Sequence, residues 1–105
     1  MLCDGIHPEW DLAPNEYIGD ALDMMLPNAG SCNEVRAAIE KEAIELMKDF
    51  HCVFLGGDHS VTLALLRALK QAKYPDTPIA MVHFDAHCDA WADHFGEPSG
   101  HGTWT

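Results

Sequence analysis

The chain has 105 residues, 6 Lys+Arg against 17 Asp+Glu, a net charge of −11 before histidine is counted, and 48% hydrophobic residues. That composition belongs to an ordinary globular protein rather than a disordered tail, and the length supports one domain at most. Six cations exclude the basic face that nucleic acid requires, no stretch approaches the roughly 20 apolar residues that span a membrane, and the opening Met1-Leu-Cys-Asp-Gly5 lacks the features of a secretory signal, so the cytoplasm is the expected compartment.

Residues 1–30 hold Pro8, Pro14 and Pro27 and no sustained periodicity, which reads as irregular chain with room for a short helix or strand around 17–26. Ser31 and Glu34 have the spacing of a capping box. Beyond them Val35, Ala38, Ile39, Ala43, Leu46, Met47 and Phe50 recur at intervals of three and four, which predicts a helix with Glu40, Lys41, Glu45 and Lys48 facing solvent. Residues 52–55 (Cys-Val-Phe-Leu) form an apolar run ended by Gly56-Gly57 and predict a strand buried on both faces, as in parallel sheets. A second helix is predicted over 60–72, with Val61, Leu65, Ala68, Leu69 and Ala72 on one side and Pro75 and Pro78 beyond its end. Residues 79–84 predict a second buried strand, completing a right-handed βαβ unit in an α/β fold. From Asp85 to Thr105 the chain loses periodicity, and a loop of that length is usually functional or disordered.

Asp85, His87 and Asp89 alternate directly after the second strand, and an extended backbone projects all three to one side. His59 follows the first strand. In a parallel pair both carboxyl ends open on one edge, where open α/β sheets place their ligand sites. Imidazole and carboxylate together suit manganese, zinc or iron, and an ion would relieve the repulsion that otherwise pushes clustered carboxylates to titrate upward. The rival reading is structural, since strand-end aspartates also cap helices and single histidines commonly serve as hydrogen-bonded surface residues. Cys3, Cys32, Cys52 and Cys88 are irregularly spaced without a Cys-x-x-Cys pair, which predicts reduced and mostly buried thiols. Cys88 is expected on the side opposite the ligands, and buried.

Three ordered motifs carry a resemblance: residues 54–60 (Phe-Leu-Gly-Gly-Asp-His-Ser), residues 83–89 (His-Phe-Asp-Ala-His-Cys-Asp) and residues 101–103 (His-Gly-Thr). Together they resemble the arginase/agmatinase (ureohydrolase) family, and the His-Gly-Thr ending looks more like agmatinases and guanidino-acid hydrolases than arginases proper. The resemblance implies an arginase-like three-layer α/β/α sandwich with a mostly parallel sheet and two Mn2+ ions per complete active site. His59, Asp85, His87 and Asp89 would be metal ligands, with Asp85 bridging the ions. It further implies hydrolysis of a linear guanidino compound to urea and an amine by a metal-bridging hydroxide. Asp89 would orient the nucleophile, while Asp85 and His101 would move protons. Asp58 fits a role in helix capping or in supporting a ligating imidazole, and His83 reads as packed or as hydrogen-bonded to a ligand. Trp91, Phe95 and Trp104 either line the substrate pocket or pack the loop.

The family is about three times as long and takes two further aspartate ligands from a later Ser-x-Asp-x-Asp motif. No Asp-x-Asp occurs here, so at most four of the six ligands implied by the resemblance are present. Residues 1–105 therefore read as an incomplete amino-terminal part of one ureohydrolase domain, poorly folded and without turnover alone, and homo-oligomeric when full length. The partners expected are a small guanidino substrate, with no nucleic acid and no membrane. A non-catalytic metal-binding or assembly module is the second reading. A deacetylase-type sheet with a single zinc is a distant third, because its signatures differ.

Overall fold

A computed structural model describes residues 9, 13, 16–28, 30–92 and 96. Two helices organise it, α1 (Cys32–Asp49) and α2 (Val61–Lys73), each followed by an extended segment.

Helix α1 begins where the sequence signals it. The Glu34 backbone N–H donates to Ser31 Oγ at 3.4 Å, and the Glu34 carboxylate accepts the Ser31 N–H at 2.7 Å, so the capping box is closed from both sides. These bonds occupy donors that the helix's first turn cannot satisfy internally. The buried face is Ile39, Ala43 and Met47, a strict four-residue spacing. Phe50 departs from the predicted stripe and is 62% exposed. Its backbone is extended (φ −121°, ψ 157°) as the helix cap, so it has left the helical register that would have carried it inward.

Helix α2 packs on α1 through small residues. Ala64 and Ala68 are its buried positions, and Ala68 meets Ala43 and Met47 at the centre of the core. Alanine at the contact lets two backbones approach closely. Met24, Ile44, Cys52, Phe54, Leu65, Leu69 and Ala72 pack around that centre. The helix stops at Tyr74, whose N–H still donates to the Lys70 carbonyl at 3.1 Å, because Pro75 disfavours a helical conformation at the residue before it. The chain then turns, with Thr77 N–H donating to the Tyr74 carbonyl at 3.3 Å and Lys70 Nζ reaching the Thr77 carbonyl at 2.8 Å.

The two predicted strands are extended, but no hydrogen-bonded strand exists among the described residues, so the expected βαβ pair is not formed. A strand requires a neighbour about 4.8 Å away to take its N–H and C=O groups. Neither segment gives the other that partner. Alternation survives in 52–55: Cys52 and Phe54 turn toward the helices, while Val53 and Leu55 are 85% and 96% exposed. The expectation of burial on both faces is therefore met on one face only. The second segment repeats this, with Val82 at 79% and Phe84 at 94% exposure. Among the described residues the expected three-layer sandwich amounts to a helix pair and two extended segments.

The segment around 17–26 holds neither a multi-turn helix nor a strand. Leu22 takes a left-handed φ of 66°, held by its N–H donating to Asp20 Oδ1 at 2.8 Å. Cys32 and Cys88 are exposed and Cys52 is half-buried, so the expectation of mostly buried thiols fails among the described cysteines. Cys88 misses its expected burial because the chain bends at 86–87 and no described element covers that side. No helix among the described residues is long and apolar enough to cross a membrane.

Candidate functional site

His59 enters the site from the turn that starts α2. Asp58 Oδ1 accepts the Ser60 N–H at 2.8 Å, and the Asp58 and His59 carbonyls accept the N–H groups of Val61 and Thr62 at 3.3 and 3.1 Å. A side chain that bonds the backbone two residues ahead is an aspartate's usual way of shaping a turn. Asp58 thus supports the helix start, as its position suggested, and fixes the backbone from which the His59 ring projects.

Asp85 and Asp89 come from the end of the second extended segment. Asp85 Oδ1 accepts the His87 N–H at 2.8 Å, which bends the chain at 86–87. Asp89 then adopts a left-handed backbone with φ 53°, a region that aspartate tolerates better than most residues. Its side chain is only 8% exposed.

The two segments meet at His59. Its Nδ1 lies 2.7 Å from Asp89 Oδ2 and 3.2 Å from Asp85 Oδ2. His83 Nε2 lies 3.4 Å from the same Asp85 oxygen and 4.0 Å from Asp89 Oδ2, and its ring centroid is 5.2 Å from that of His59. One donor atom from each of His59, His83, Asp85 and Asp89 falls within 4.8 Å of the others. Donors held at about 2.1 Å from one small divalent ion lie roughly 3.0–3.4 Å apart. The His59–Asp85 separation of 3.2 Å falls in that range, and the His59–Asp89 separation of 2.7 Å would have to open slightly. Two nitrogens and two carboxylate oxygens match manganese, zinc or iron and do not choose among them.

His87 stands apart. Its side chain is 79% exposed and Nδ1 lies 3.5 Å from Asp85 Oδ1, the oxygen turned away from His59. Its expected place beside the two carboxylates requires the parity of an extended backbone, and here the chain bends between them. His83, by contrast, precedes the bend and keeps its parity with Asp85. That alternation was the signal which could have placed it in the cluster. His101, Phe95 and Trp104 lie outside the described residues, and Trp91 is 64% exposed.

The expected upward titration does not hold for Asp85. The His87 backbone N–H holds its carboxyl below the usual 3.8, against an opposing contribution from burial, with further lowering from His83 and His59. A hydrogen bond to the charged form outweighs the cost of removing that form from water.

A sequence-family model described as the arginase family matches residues 6–105. The agmatinase of Bacillus subtilis is 36% identical over 93 residues, 89% of this chain and 31% of that protein. The agmatinase of Proteus mirabilis is 42% identical over 85 residues, 81% of this chain and 23% of the relative. The guanidinopropionase of Pseudomonas aeruginosa is 50% identical over 50 residues, 47% of this chain and 14% of its own length. A crystal structure named as "a putative agmatinase from Clostridium difficile" superposes with a TM-score of 0.78 at 31% identity, covering 96% of this chain and 36% of that one. The chain thus spans about a third or less of the curated relatives it matches.

Proposed function

The chain belongs to the arginase family, and from that premise we propose that it carries part of the ion-binding centre of a manganese-dependent amidinohydrolase. The substrate proposed is a linear guanidino compound of the kind that names the relatives, agmatine, guanidinopropionate or guanidinobutyrate. The reaction adds water across the guanidino carbon and breaks its bond to the substituted nitrogen, giving urea and an amine. The observation that carries the reading is the meeting of His59 Nδ1 with one oxygen each of Asp85 and Asp89, at 3.2 and 2.7 Å.

A divalent ion held there supplies acidified water, which a resonance-stabilised guanidinium needs for attack near neutral pH. The protein's own part is binding, orientation and proton handling. His59, Asp85 and Asp89 would hold the first ion, and His87, adjoining Asp85 Oδ1, is the proposed protein ligand on its far side. The two carboxylates place negative charge where a cationic guanidinium must come. Asp89 is proposed to orient the attacking water, with Asp85 and His101 passing protons toward the departing nitrogen.

The test is urea release by the purified chain with Mn2+ and each of the three guanidino compounds, beside Asp85→Asn. Release that needs manganese and vanishes in the variant supports the hydrolase. We expect its rate to fall far below that of the B. subtilis agmatinase, because Asp85 and Asp89 neutralise only half the charge of two divalent ions. Ion binding with no release at all favours the second reading, a metal-binding module without turnover.

A further inference from the structure

We propose that His83 is a positioning residue of this centre, its Nε2 holding the Oδ2 side of the Asp85 carboxylate in the orientation that meets His59. The proposal rests on the metal centre proposed above and adds to it a residue outside the ligand set that the motifs suggested.

A carboxylate that shares an ion must have both oxygens fixed, since a free carboxylate rotates about its last bond. Oδ1 is fixed by the chain itself, through the His87 N–H at 2.8 Å. Oδ2 has two imidazole neighbours, His59 Nδ1 at 3.2 Å and His83 Nε2 at 3.4 Å. An ion bound by His59 Nδ1 would claim the first of these nitrogens, leaving His83 as the imidazole beside Asp85 Oδ2. The His83 Nε2 atom is enclosed, in a side chain only 23% exposed, so the nitrogen edge of the ring faces the carboxylates and not solvent. Its distances are unequal, 3.4 Å to Asp85 against 4.0 Å to Asp89, so the atom lies nearer Asp85 than Asp89. The ring is also tilted 59° from that of His59, which gives each imidazole its own sector. At 3.4 Å the contact is long for an N–H···O bond, and a few tenths of an ångström of carboxylate movement closes it.

Isothermal titration of Mn2+ into the full chain tests this with the wild type, His83→Gln, His83→Asn and His83→Phe. Gln sets an amide donor near the position of Nε2, and Asn is polar but too short to reach it. Partners that orient a ligand typically contribute about 10–100-fold to metal affinity, and that loss is expected for Phe and Asn, with Gln restoring affinity to within a few-fold. Helical circular dichroism should be the same in all four. The Gln–Asn comparison stands even if Phe disturbs packing. Unchanged affinity in Asn and Phe overturns the proposal. Gln as weak as Asn, with a 15N shift of wild-type His83 Nε2 on titrating Zn2+, makes His83 a direct ligand and overturns it too. A wild-type chain that binds no ion overturns the metal centre itself, and the role of His83 with it, whereas uptake by the wild type isolates the failure to His83.

Discussion

Asp85 concentrates most of the site's interactions, with the His87 N–H on one oxygen and two imidazoles on the other. Asp85→Asn keeps the size and one acceptor for His87 but removes the charge and the second acceptor. Manganese affinity should fall by more than tenfold in calorimetry, and the bend at 86–87 should loosen in NMR, since a neutral amide oxygen is a weaker acceptor than a carboxylate. Because the carboxyl titrates below the usual 3.8, the bend it stabilises should be intact above that value. It should loosen only as pH falls through the lower folded-state value, since protonation takes away the charged acceptor. A carboxyl 13C titration with the His87 amide shift as reporter checks this, and a midpoint above 3.8 would contradict it. His59 and Asp85 could be placed from sequence because both follow directly on the ends of apolar runs, whereas the alternation that named Asp89 with them is broken by the bend, and Asp89 reaches His59 through a left-handed backbone instead. The contrast between His87 and His83 could not, because one side chain–backbone bond and one left-handed residue redirect the chain.

Helices and extended segments differ in how far they can be read, for a reason of locality. Every hydrogen bond of α1 lies within a few residues, so Ser31, Glu34 and the four-residue spacing suffice to define it. Ser31→Ala should cost about 1 kcal/mol in urea-monitored helix stability, a typical N-cap loss. The Ser31 backbone N–H, then its hydroxyl, lower the Glu34 pKa from its ordinary 4.5. The cap's contribution should therefore be complete above 4.5 and disappear as pH drops through the lowered value, read by amide exchange in the first turn of α1. The runs 52–55 and 79–84 have strand-forming composition, but strand pairing depends on a partner that composition does not specify. The pattern of Cys52 and Phe54 inward, Val53 and Leu55 outward, is the part of strand character that one covered face provides.

At the scale of the molecule, the accessible surface is 8691 Å2, against about 5,800 Å2 for a compact protein of this mass. The radius of gyration is 16.4 Å, where about 13 Å is usual for the length. Large apolar side chains contribute to the excess, with Val53, Leu55, Val82 and Phe84 all at least 79% exposed. Hydrophobic dye should bind strongly to the chain at neutral pH, and the doublet Leu55→Ser, Phe84→Ser should reduce that fluorescence at a stability change within about 0.5 kcal/mol, as expected of exposed positions. A large loss of stability would show that these side chains pack.

His59 is anchored to the helix pair, while Asp85 follows it by 26 positions across a turn and an extended run. A cation gripped by both would be a reversible cross-link, closing that length of chain and lowering the entropy of every state in which it stays bound. Chelation should then act as bond cleavage does: the 74–89 stretch gains freedom while α1 and α2 keep theirs unchanged, and the helices report nothing of the event.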